Sequence, residues 1–120
     1  MTWQQALEHC NSTGAHLANM ETEEEFNAVN EKVEALNLKN QAVWTGLHHP
    51  EEKTDSRKED WRWAHNMEAP TLDKWKAGEP DNFAGRQHCA VLEGGRWSDV
   101  DCNSKGWDGI TYHAFCEIQI

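Results

Sequence analysis

Four cysteines, at positions 10, 89, 102 and 116, constrain this 120-residue chain more than any other feature. None of them belongs to a CxxC pair, so the spacing does not indicate a zinc knuckle or a thioredoxin-type site. Three disulfide pairings are possible. Cys89 and Cys102 flank an oxygen-rich segment, which favours their pairing and leaves Cys10 to join Cys116. Disulfides indicate an oxidising compartment, and therefore a secreted protein or a cell-surface ectodomain.

Charge and length exclude several classes of partner. The chain has 21 acidic and 11 basic residues, and its formal net charge of -10 argues against nucleic acid or an anionic membrane as the partner. No apolar run approaches the roughly 20 residues that cross a bilayer, so we expect no membrane insertion by this segment. We expect a single domain over residues 1–120, without a secretory leader before Met1. Asn11-Ser12-Thr13 is a glycosylation sequon, which makes Asn11 a candidate glycosylation site.

Apolar residues at helical spacing predict two helices in the first third of the chain. Thr2-Trp3-Gln4-Gln5 is typical of a capping box, and Gly14 marks the expected end of the first helix. Residues 22–25 form a second capping box before the second helix, whose acidic first turn suits the helix dipole. Its apolar face consists of Phe26, Val29, Val33 and Leu36.

Beyond Lys39 the helical period gives way to short strand patterns. Strands are expected at residues 42–47, 60–64, 90–92, 96–97 and 112–118. Two helices followed by short strands and long loops indicate an α+β fold. The stretch from Asn66 to His88 shows neither pattern, and loops of that length usually carry function.

Oxygen-bearing side chains are concentrated between Gly78 and Cys102. They form three clusters, namely Glu79-Pro80-Asp81, Gln87-His88 and Trp97-Ser98-Asp99. Carboxylates gathered around one point repel one another unless a cation or an arginine lies between them. Calcium takes six to eight oxygen ligands from carboxylates, amide carbonyls and water. The pattern therefore predicts a calcium site on loops.

Taken in order, these residues resemble the C-type lectin-like domain family, and the resemblance runs from Thr2 to Glu117. Its marks are Thr2-Trp3 with Ala6 and Cys10, Leu17-Ala18, Trp44-Thr45-Gly46-Leu47, Trp75 before Gly78-Glu79-Pro80-Asp81, Cys89-Ala90-Val91-Leu92, Trp97-Ser98-Asp99, Cys102 and Phe115-Cys116-Glu117. The resemblance implies the C-type lectin-like fold, which is two helices with short antiparallel strands and a long calcium-binding loop region. It also implies the pairs Cys10–Cys116 and Cys89–Cys102.

One departure from the family concerns the start of the chain. Members normally begin with a strand that precedes the first helix and pairs with the C-terminal strand, whereas this chain opens almost at the helix. We therefore expect the N-terminal strand to be missing or trimmed, and the strand around Phe115–Ile118 to have an unpaired edge. Such an edge favours association, which makes a homodimer an expected state.

The resemblance implies one calcium ion that also holds two adjacent sugar hydroxyls. Carried over position by position, its ligands are Glu79, Asp81, Gln87, Ser98 and Asp99, with Pro80 as a cis proline that turns the flanking side chains toward the ion. Gln87 and Ser98 replace the usual Glu and Asn, and both are weaker donors, whereas the other three ligands supply the usual charge of about -3. A second calcium position is not expected, because the corresponding acids are replaced by His49, Lys53, Asn82 and His88.

The sugar class follows from the residues on either side of Pro80. In the family, Glu-Pro-Asn resembles mannose-type sites and Gln-Pro-Asp galactose-type sites, and Glu79-Pro80-Asp81 matches neither. Phe83 stands where galactose binders often place an aromatic ring against the sugar, which favours galactose-type ligands. The alternatives are that Phe83 only holds the loop and that Asp81-Asn82 is ordinary turn chemistry.

Two classes of function follow from these residues. One is calcium-dependent carbohydrate binding; the other is a lectin-like domain that binds a protein or another surface without calcium, because fold does not dictate function. An enzyme is not expected, since no Ser-His-Asp or Cys-His signature is present. Zinc at His48-His49 is disfavoured, because adjacent residues of a strand point in opposite directions.

Overall fold

The computed structural model describes residues 1–35, 41–49, 58–80, 87–107 and 109–118. Its helices are α1 (Trp3–Ser12) and α2 (Glu23–Ala35), and a short 3-10 helix covers Lys58–Asp60. The strands are β1 (Ala15–Leu17), β2 (Gln41–His48), β3 (Arg62–Trp63), β4 (Cys89–Glu93), β5 (Arg96–Val100), β6 (Gly106–Trp107), β7 (Ile110–Ala114) and β8 (Cys116–Ile118). The α+β prediction is confirmed. None of the described helices is long and apolar enough to span a bilayer.

Helix α1 begins with the predicted capping box. The Thr2 hydroxyl accepts a hydrogen bond from the backbone N–H of Gln5 at 3.2 Å, and the Gln5 amide oxygen accepts one from the Thr2 N–H at 2.9 Å. Both bonds satisfy N–H groups that have no partner inside a helix. After the helix, Gly14 has a φ of +77°, a backbone conformation that glycine adopts without strain. The chain then turns back into β1.

Helix α2 forms only half of its predicted capping box. The Thr22 hydroxyl accepts a hydrogen bond from the Glu25 N–H at 3.1 Å, but the Glu25 carboxylate accepts one from the Glu21 N–H at 3.4 Å. The apolar face is formed by Phe26 and Val29, which are buried, and by the partly buried Val33. The fourth expected residue of that face, Leu36, lies outside the described residues.

The strands form a six-stranded sheet and a separate pair. The larger sheet has the order β5-β4-β2-β7-β6, with β3 paired to one end of β2. Strand β2 is antiparallel to β3 and β4 and parallel to β7, so the sheet is mixed. The pair consists of β1 and β8, in which His16 lies opposite Glu117.

Three predicted strands differ from the structure. The predicted strand at residues 112–118 is two strands that separate at Phe115, because β7 pairs with β2 whereas β8 pairs with β1. The strand predicted at 60–64 is only β3, since Asp60 ends the 3-10 helix and a turn begins at Ala64. The strand predicted at 96–97 continues to Val100, which brings Ser98 and Asp99 into the sheet. On its other side from β1, β8 has no strand partner among the described residues.

Both faces of β2 are buried, each in its own apolar cluster. Val43 and Leu47 contact the cluster that also contains Phe26 and the tryptophans at 61, 63, 75 and 97. Ala42 and Trp44 contact the other cluster, which includes the buried face of α1. This alternation follows from the two-residue period of a strand. The sheet therefore separates α1 from the loop-bearing half of the domain.

The two disulfides are those that the resemblance implies. Cys10 and Cys116 are joined by an S–S bond of 2.05 Å that connects α1 to β8. Cys89 and Cys102 are joined by one of 2.04 Å that connects the start of β4 to the segment after β5. The predicted pairing is confirmed, and no free cysteine occurs in the described chain.

Candidate functional site

The segment from Lys74 to Lys76 runs beside β5, on the edge that does not pair with β4, and it leads to Glu79 and Pro80. The Trp97 N–H donates to the Lys74 carbonyl at 2.7 Å, and the Lys76 N–H donates to the Trp97 carbonyl at 2.9 Å. These bonds form an isolated parallel bridge between Trp75 and Trp97. The bridge aligns the segment that carries Glu79 with the strand that carries Ser98 and Asp99.

Four tryptophans pack beneath this bridge. The Trp75 ring lies 4.8 Å from the ring of Trp61 and 5.7 Å from that of Trp97, while Trp63 lies 5.7 Å from Trp97. All three pairs meet edge to face, the arrangement that aromatic rings prefer. Because all four side chains are buried, Trp75 attaches the segment beside β5 to the core.

A tight turn carries the chain from this segment to Glu79. The Glu79 N–H donates to the Lys76 carbonyl at 2.9 Å, and Gly78 at the third position has a φ of +82°. A positive φ at that position defines a type II turn, which favours glycine. The peptide bond between Glu79 and Pro80 is cis, the isomer that the resemblance implies. Pro80 is buried, and Glu79 is partly exposed.

Ser98 and Asp99 are neighbours on β5, where they lie opposite Val91 and Ala90 of β4. Asp99 is only 2% exposed, whereas Ser98 is partly exposed. A carboxylate that is so deeply buried requires hydrogen-bond donors or a cation next to it. Because Ser98 and Asp99 belong to a strand that is hydrogen-bonded to β4, the backbone that carries both side chains is held in place.

Gln87 lies two residues before Cys89 at the start of β4 and is partly exposed. The Cys89–Cys102 disulfide and the Cys89–Val100 pairing hold this end of β4 against β5. The structure thus describes Glu79, Gln87, Ser98 and Asp99 among the predicted ligands. Asp81 and Phe83, together with Asn82, lie outside the described residues.

The chemical type of the four described side chains suits a hard cation. They offer carboxylate, amide and hydroxyl oxygens, the donors that calcium takes in proteins. Glu79 comes from a turn, Ser98 and Asp99 from a strand, and Gln87 from the start of its neighbour, so the donors lie on segments that the sheet and one disulfide connect. These residues fit the ion that the family pattern implies.

A buried histidine pair next to Gln87 was not foreseen from the sequence. The Nδ1 atoms of His49 and His88 are 3.2 Å apart, and the His49 backbone N–H donates to the His88 carbonyl at 2.8 Å. His49 is 1% exposed and His88 is 8% exposed. The pair joins the end of β2 to the residue that follows Gln87. The only sequence signal was that histidines stand where acids would form a second calcium site.

The structure does not support zinc at His48-His49. The ring of His48 stacks on Trp3 at 5.1 Å, whereas the ring of His49 stacks on His88 at 5.4 Å, so the two side chains diverge. Across the described ranges, the one close trio of histidine, cysteine or acidic ligands is His48 with Cys89 and Cys102. Those two sulfurs are bonded to each other and are not available as thiolates.

The carboxyl group of Glu117, in the β1–β8 pair, has a shifted pKa. Burial raises the pKa of Glu117 on β8, and His16 opposite it, together with a hydrogen bond from the Asn19 backbone N–H, partly opposes the shift. Burial disfavours the charged form of a carboxyl, because the charge loses its hydration. Glu117 is therefore a group through which pH acts on the fold.

Comparison with known proteins identifies the family. The sequence model of the lectin C-type domain matches residues 1–107. Ladderlectin of Oncorhynchus mykiss is 30% identical over 112 residues, which cover 91% of this chain and 56% of that protein. C-type isolectin Sp-CL4 of Scorpaena plumieri is 31% identical over 109 residues, which cover 87% of this chain and 69% of that protein. The chain therefore spans only about half to two thirds of the length of these relatives.

Solved structures agree with this result. The carbohydrate-recognition domain of the mouse scavenger receptor C-type lectin is 26% identical, has a TM-score of 0.69, and covers 86% of this chain with 73% of its own. Human lithostathine, at 23% identity and a TM-score of 0.77, covers 99% of this chain with 77% of its own and shows the shared fold. Proteins of this kind are generally non-enzymatic binding proteins. The chain belongs to the C-type lectin domain family.

Proposed function

We propose that this domain binds carbohydrate through one calcium ion held by Glu79, Asp81, Gln87, Ser98 and Asp99. The observation that carries the proposal is the pair of hydrogen bonds between Trp97 and the Lys74–Lys76 segment. They join Lys74–Lys76 to β5 at Trp97, which supports a site shared by Glu79, three residues beyond that segment, and by Ser98 and Asp99, which follow Trp97 on the strand.

A calcium ion would neutralise most of the negative charge of the proposed site. Three carboxylates, at Glu79, Asp81 and Asp99, repel one another without a cation, and a divalent ion removes most of that repulsion. The replacement of Glu by Gln87 and of Asn by Ser98 leaves two weaker donors, so the affinity for calcium is expected to be lower than in a typical member. A calcium ion held by these residues would also take two adjacent sugar hydroxyls as ligands.

The proposed sugar class depends on which of the ligand residues can donate hydrogen bonds to the sugar. Glu79 and Asp81 are acceptors only, whereas the Gln87 amide donates as well as accepts. Phe83 occupies the sequence position at which galactose binders often carry an aromatic residue, and together with the Gln87 donor this favours galactose-type ligands. Affinity for a single sugar is expected near the millimolar range, and multivalent display raises it. The structural neighbour from the mouse scavenger receptor is a carbohydrate-recognition domain, which supports the carbohydrate class.

Calorimetric titration with calcium, followed by a glycan array with and without chelator, tests the proposal. We expect a measurable heat of calcium binding at submillimolar to millimolar calcium concentrations. We also expect glycan binding that is lost when chelator is added. Binding of mannose-type rather than galactose-type glycans would overturn the sugar class alone. The absence of calcium heat at millimolar metal would overturn the metal site.

A second candidate function is calcium-independent binding of a protein or another surface. It is favoured by Gln87 and Ser98, the two weaker donors in the ligand set. In that case chelator leaves partner binding unchanged. Substitution of Asp99 changes neither the affinity for the partner nor the binding to the glycan array. The two candidates therefore give opposite results with the same reagents.

We further propose that the domain, as residues 1–120, acts in a secreted or extracellular protein and forms a homodimer through β8. The two disulfides support the compartment. The side of β8 away from β1, which lacks a strand partner in the described chain, supports the dimer. Sedimentation at high protein concentration tests it, and a monomer there would exclude the dimer.

A further inference from the structure

A groove of about 280 Å³ opens between α1, β1, β2 and the turn that follows β3. It belongs to the half of the molecule that carries the glycosylation sequon and involves none of the proposed calcium ligands. Its walls combine aliphatic side chains with two imidazoles and one amide, and the lining residues are Leu7, Asn11, His16, Leu17, Gly46, Ala64 and His65.

Asn11 connects this groove to the sequon. It lies in the last turn of α1, is exposed, and is the only asparagine of the chain in an Asn-X-Ser/Thr sequence. Its backbone carbonyl accepts a hydrogen bond from the Gly14 N–H at 3.1 Å, which closes the helix end. Its side-chain amide makes no hydrogen bond to any described residue, so the nitrogen is available for modification.

The two imidazoles stack on each other in one wall of the groove, and this stacked pair is called the imidazole platform below. The rings of His16 and His65 stack with centroids 4.1 Å apart and planes 17° apart. The Nδ1 of His16 lies 2.9 Å from the Leu17 carbonyl, to which it donates, so its Nε2 is an acceptor in the neutral ring. His65 is exposed, and its ring nitrogens have no hydrogen-bond partner in the described ranges.

We propose that Asn11 carries an N-linked glycan whose first N-acetylglucosamine packs into this groove against His65. A pyranose ring has an apolar C–H face, which suits the imidazole platform and the side chain of Leu7, and polar groups at its rim, which suit the ring nitrogens. The sugar is already tethered at the groove, because Asn11 is one of its lining residues. It therefore loses little additional translational freedom when it packs.

The modification is a glycosyl transfer from a lipid-pyrophosphate-linked oligosaccharide. The bond between the sugar C1 and the pyrophosphate oxygen breaks, and a bond between C1 and Asn11 Nδ2 forms. The lipid pyrophosphate leaves, and the amide nitrogen gives up one proton. The reaction occurs on chains that enter a secretory compartment, the same kind of compartment in which the two disulfides form.

The test compares protein that carries the intact glycan, one sugar or none. The chain is secreted from eukaryotic cells held at the high-mannose stage and is then treated with endoglycosidase H, which leaves one sugar, or with peptide N-glycosidase, which leaves none and converts Asn11 to Asp. We expect the one-sugar and intact forms to melt together, and the sugar-free form to melt roughly 2–5 °C lower. The Asn11 chain produced in the bacterial periplasm, where it receives no glycan, is compared with its N11D variant to correct for the conversion to Asp.

Variants at the groove show whether the first sugar packs against the protein or is only attached to Asn11. His65→Ala removes part of the platform, and the difference in melting temperature between the one-sugar and sugar-free forms is expected to fall to near zero. His9→Ala alters another exposed histidine of the same region, outside the groove, and is expected to preserve the difference. A secreted protein without a glycosidase-sensitive mass shift, or one whose one-sugar and sugar-free forms melt together, would overturn the proposal.

Discussion

Trp75 and Trp97 meet edge to face with ring centroids 5.7 Å apart, and they are also the two residues of the only isolated bridge between β5 and a loop of the described chain. One residue pair thus connects the aromatic core to the segment that carries Glu79. Packing in the core and the geometry of the proposed calcium site are therefore physically coupled.

Substitution of Trp75 tests this coupling. Trp75→Phe shrinks a buried ring that contacts Trp61 and Trp97, and we expect it to lower the free energy of unfolding by roughly 1–3 kcal/mol. Because the segment beside β5 is then held less tightly, calcium affinity is expected to fall about tenfold, or about 1.4 kcal/mol. Denaturant unfolding and calorimetry measure the two effects.

The matched control for Trp75 is Trp3→Phe. Trp3 is buried in the other cluster, and its indole N–H donates to the Thr45 carbonyl at 2.9 Å. Its replacement is expected to lower the free energy of unfolding by an amount comparable to that of Trp75→Phe, but to leave the Trp75–Trp97 bridge intact. Equal calcium affinities in the two variants would show that the tryptophan bridge does not position the site.

Asp99→Asn tests the proposed metal ligand with minimal change of shape. The substitution removes one carboxylate from the ion, and we expect calcium binding to weaken at least about 30-fold, or roughly 2 kcal/mol. Far-ultraviolet circular dichroism in the absence of calcium is expected to match that of the parent. Asp101→Asn is the control, since its Oδ1, which accepts a hydrogen bond from the Asn103 N–H at 2.9 Å, is retained. Unchanged affinity in Asp99→Asn would refute the ligand assignment.

Gln87→Glu is expected to have the opposite effect. A fourth carboxylate strengthens the attraction for calcium, and we expect affinity to rise about tenfold, or about 1.4 kcal/mol. Without calcium the added charge increases repulsion, so the melting temperature of the metal-free protein is expected to fall. Scanning calorimetry with and without calcium checks both statements. A weaker site in the variant would mean that Gln87 points away from the ion.

Glu117 makes stability depend on pH. Burial raises its pKa above the ordinary 4.5, so the folded state binds the proton more tightly than the unfolded chain does. The stability from this group is complete below the unfolded pKa and is lost as pH rises through the higher folded pKa. Glu117→Gln is therefore expected to melt above the parent at neutral pH and together with it near pH 4, as measured by scanning calorimetry. Exposed Glu31→Gln is the control and is expected to show no such divergence.

Local signals explain which parts of the fold were predictable. Capping at Thr2 and the apolar run of β2 depend on neighbouring residues, and both were predicted correctly. The break at Phe115 was missed, because it depends on β7 and β8 pairing with different strands far away in the sequence. Strand β1 has only three residues, too few to show a period.

In the candidate site, too, the residue types could be predicted from the sequence, whereas the long-range contacts could not. The residue types of Glu79, Ser98 and Asp99 suggest calcium without any structure, since hard oxygen donors are visible in a sequence. The contact between β5 and the segment that leads to Glu79 depends on the Trp75–Trp97 bridge, a long-range contact that no local pattern encodes. The stacking of His16 on His65 is of the same kind, because it joins β1 to the turn after β3.

The 3.2 Å contact between the Nδ1 atoms of His49 and His88 makes two identical residue types chemically unequal. Only one of the two nitrogens can hold the shared hydrogen, so one imidazole is a donor at Nδ1 and the other presents a lone pair there. Nitrogen-15 spectra of the labelled protein should therefore resolve two different Nδ1 environments where symmetry of residue type would suggest one.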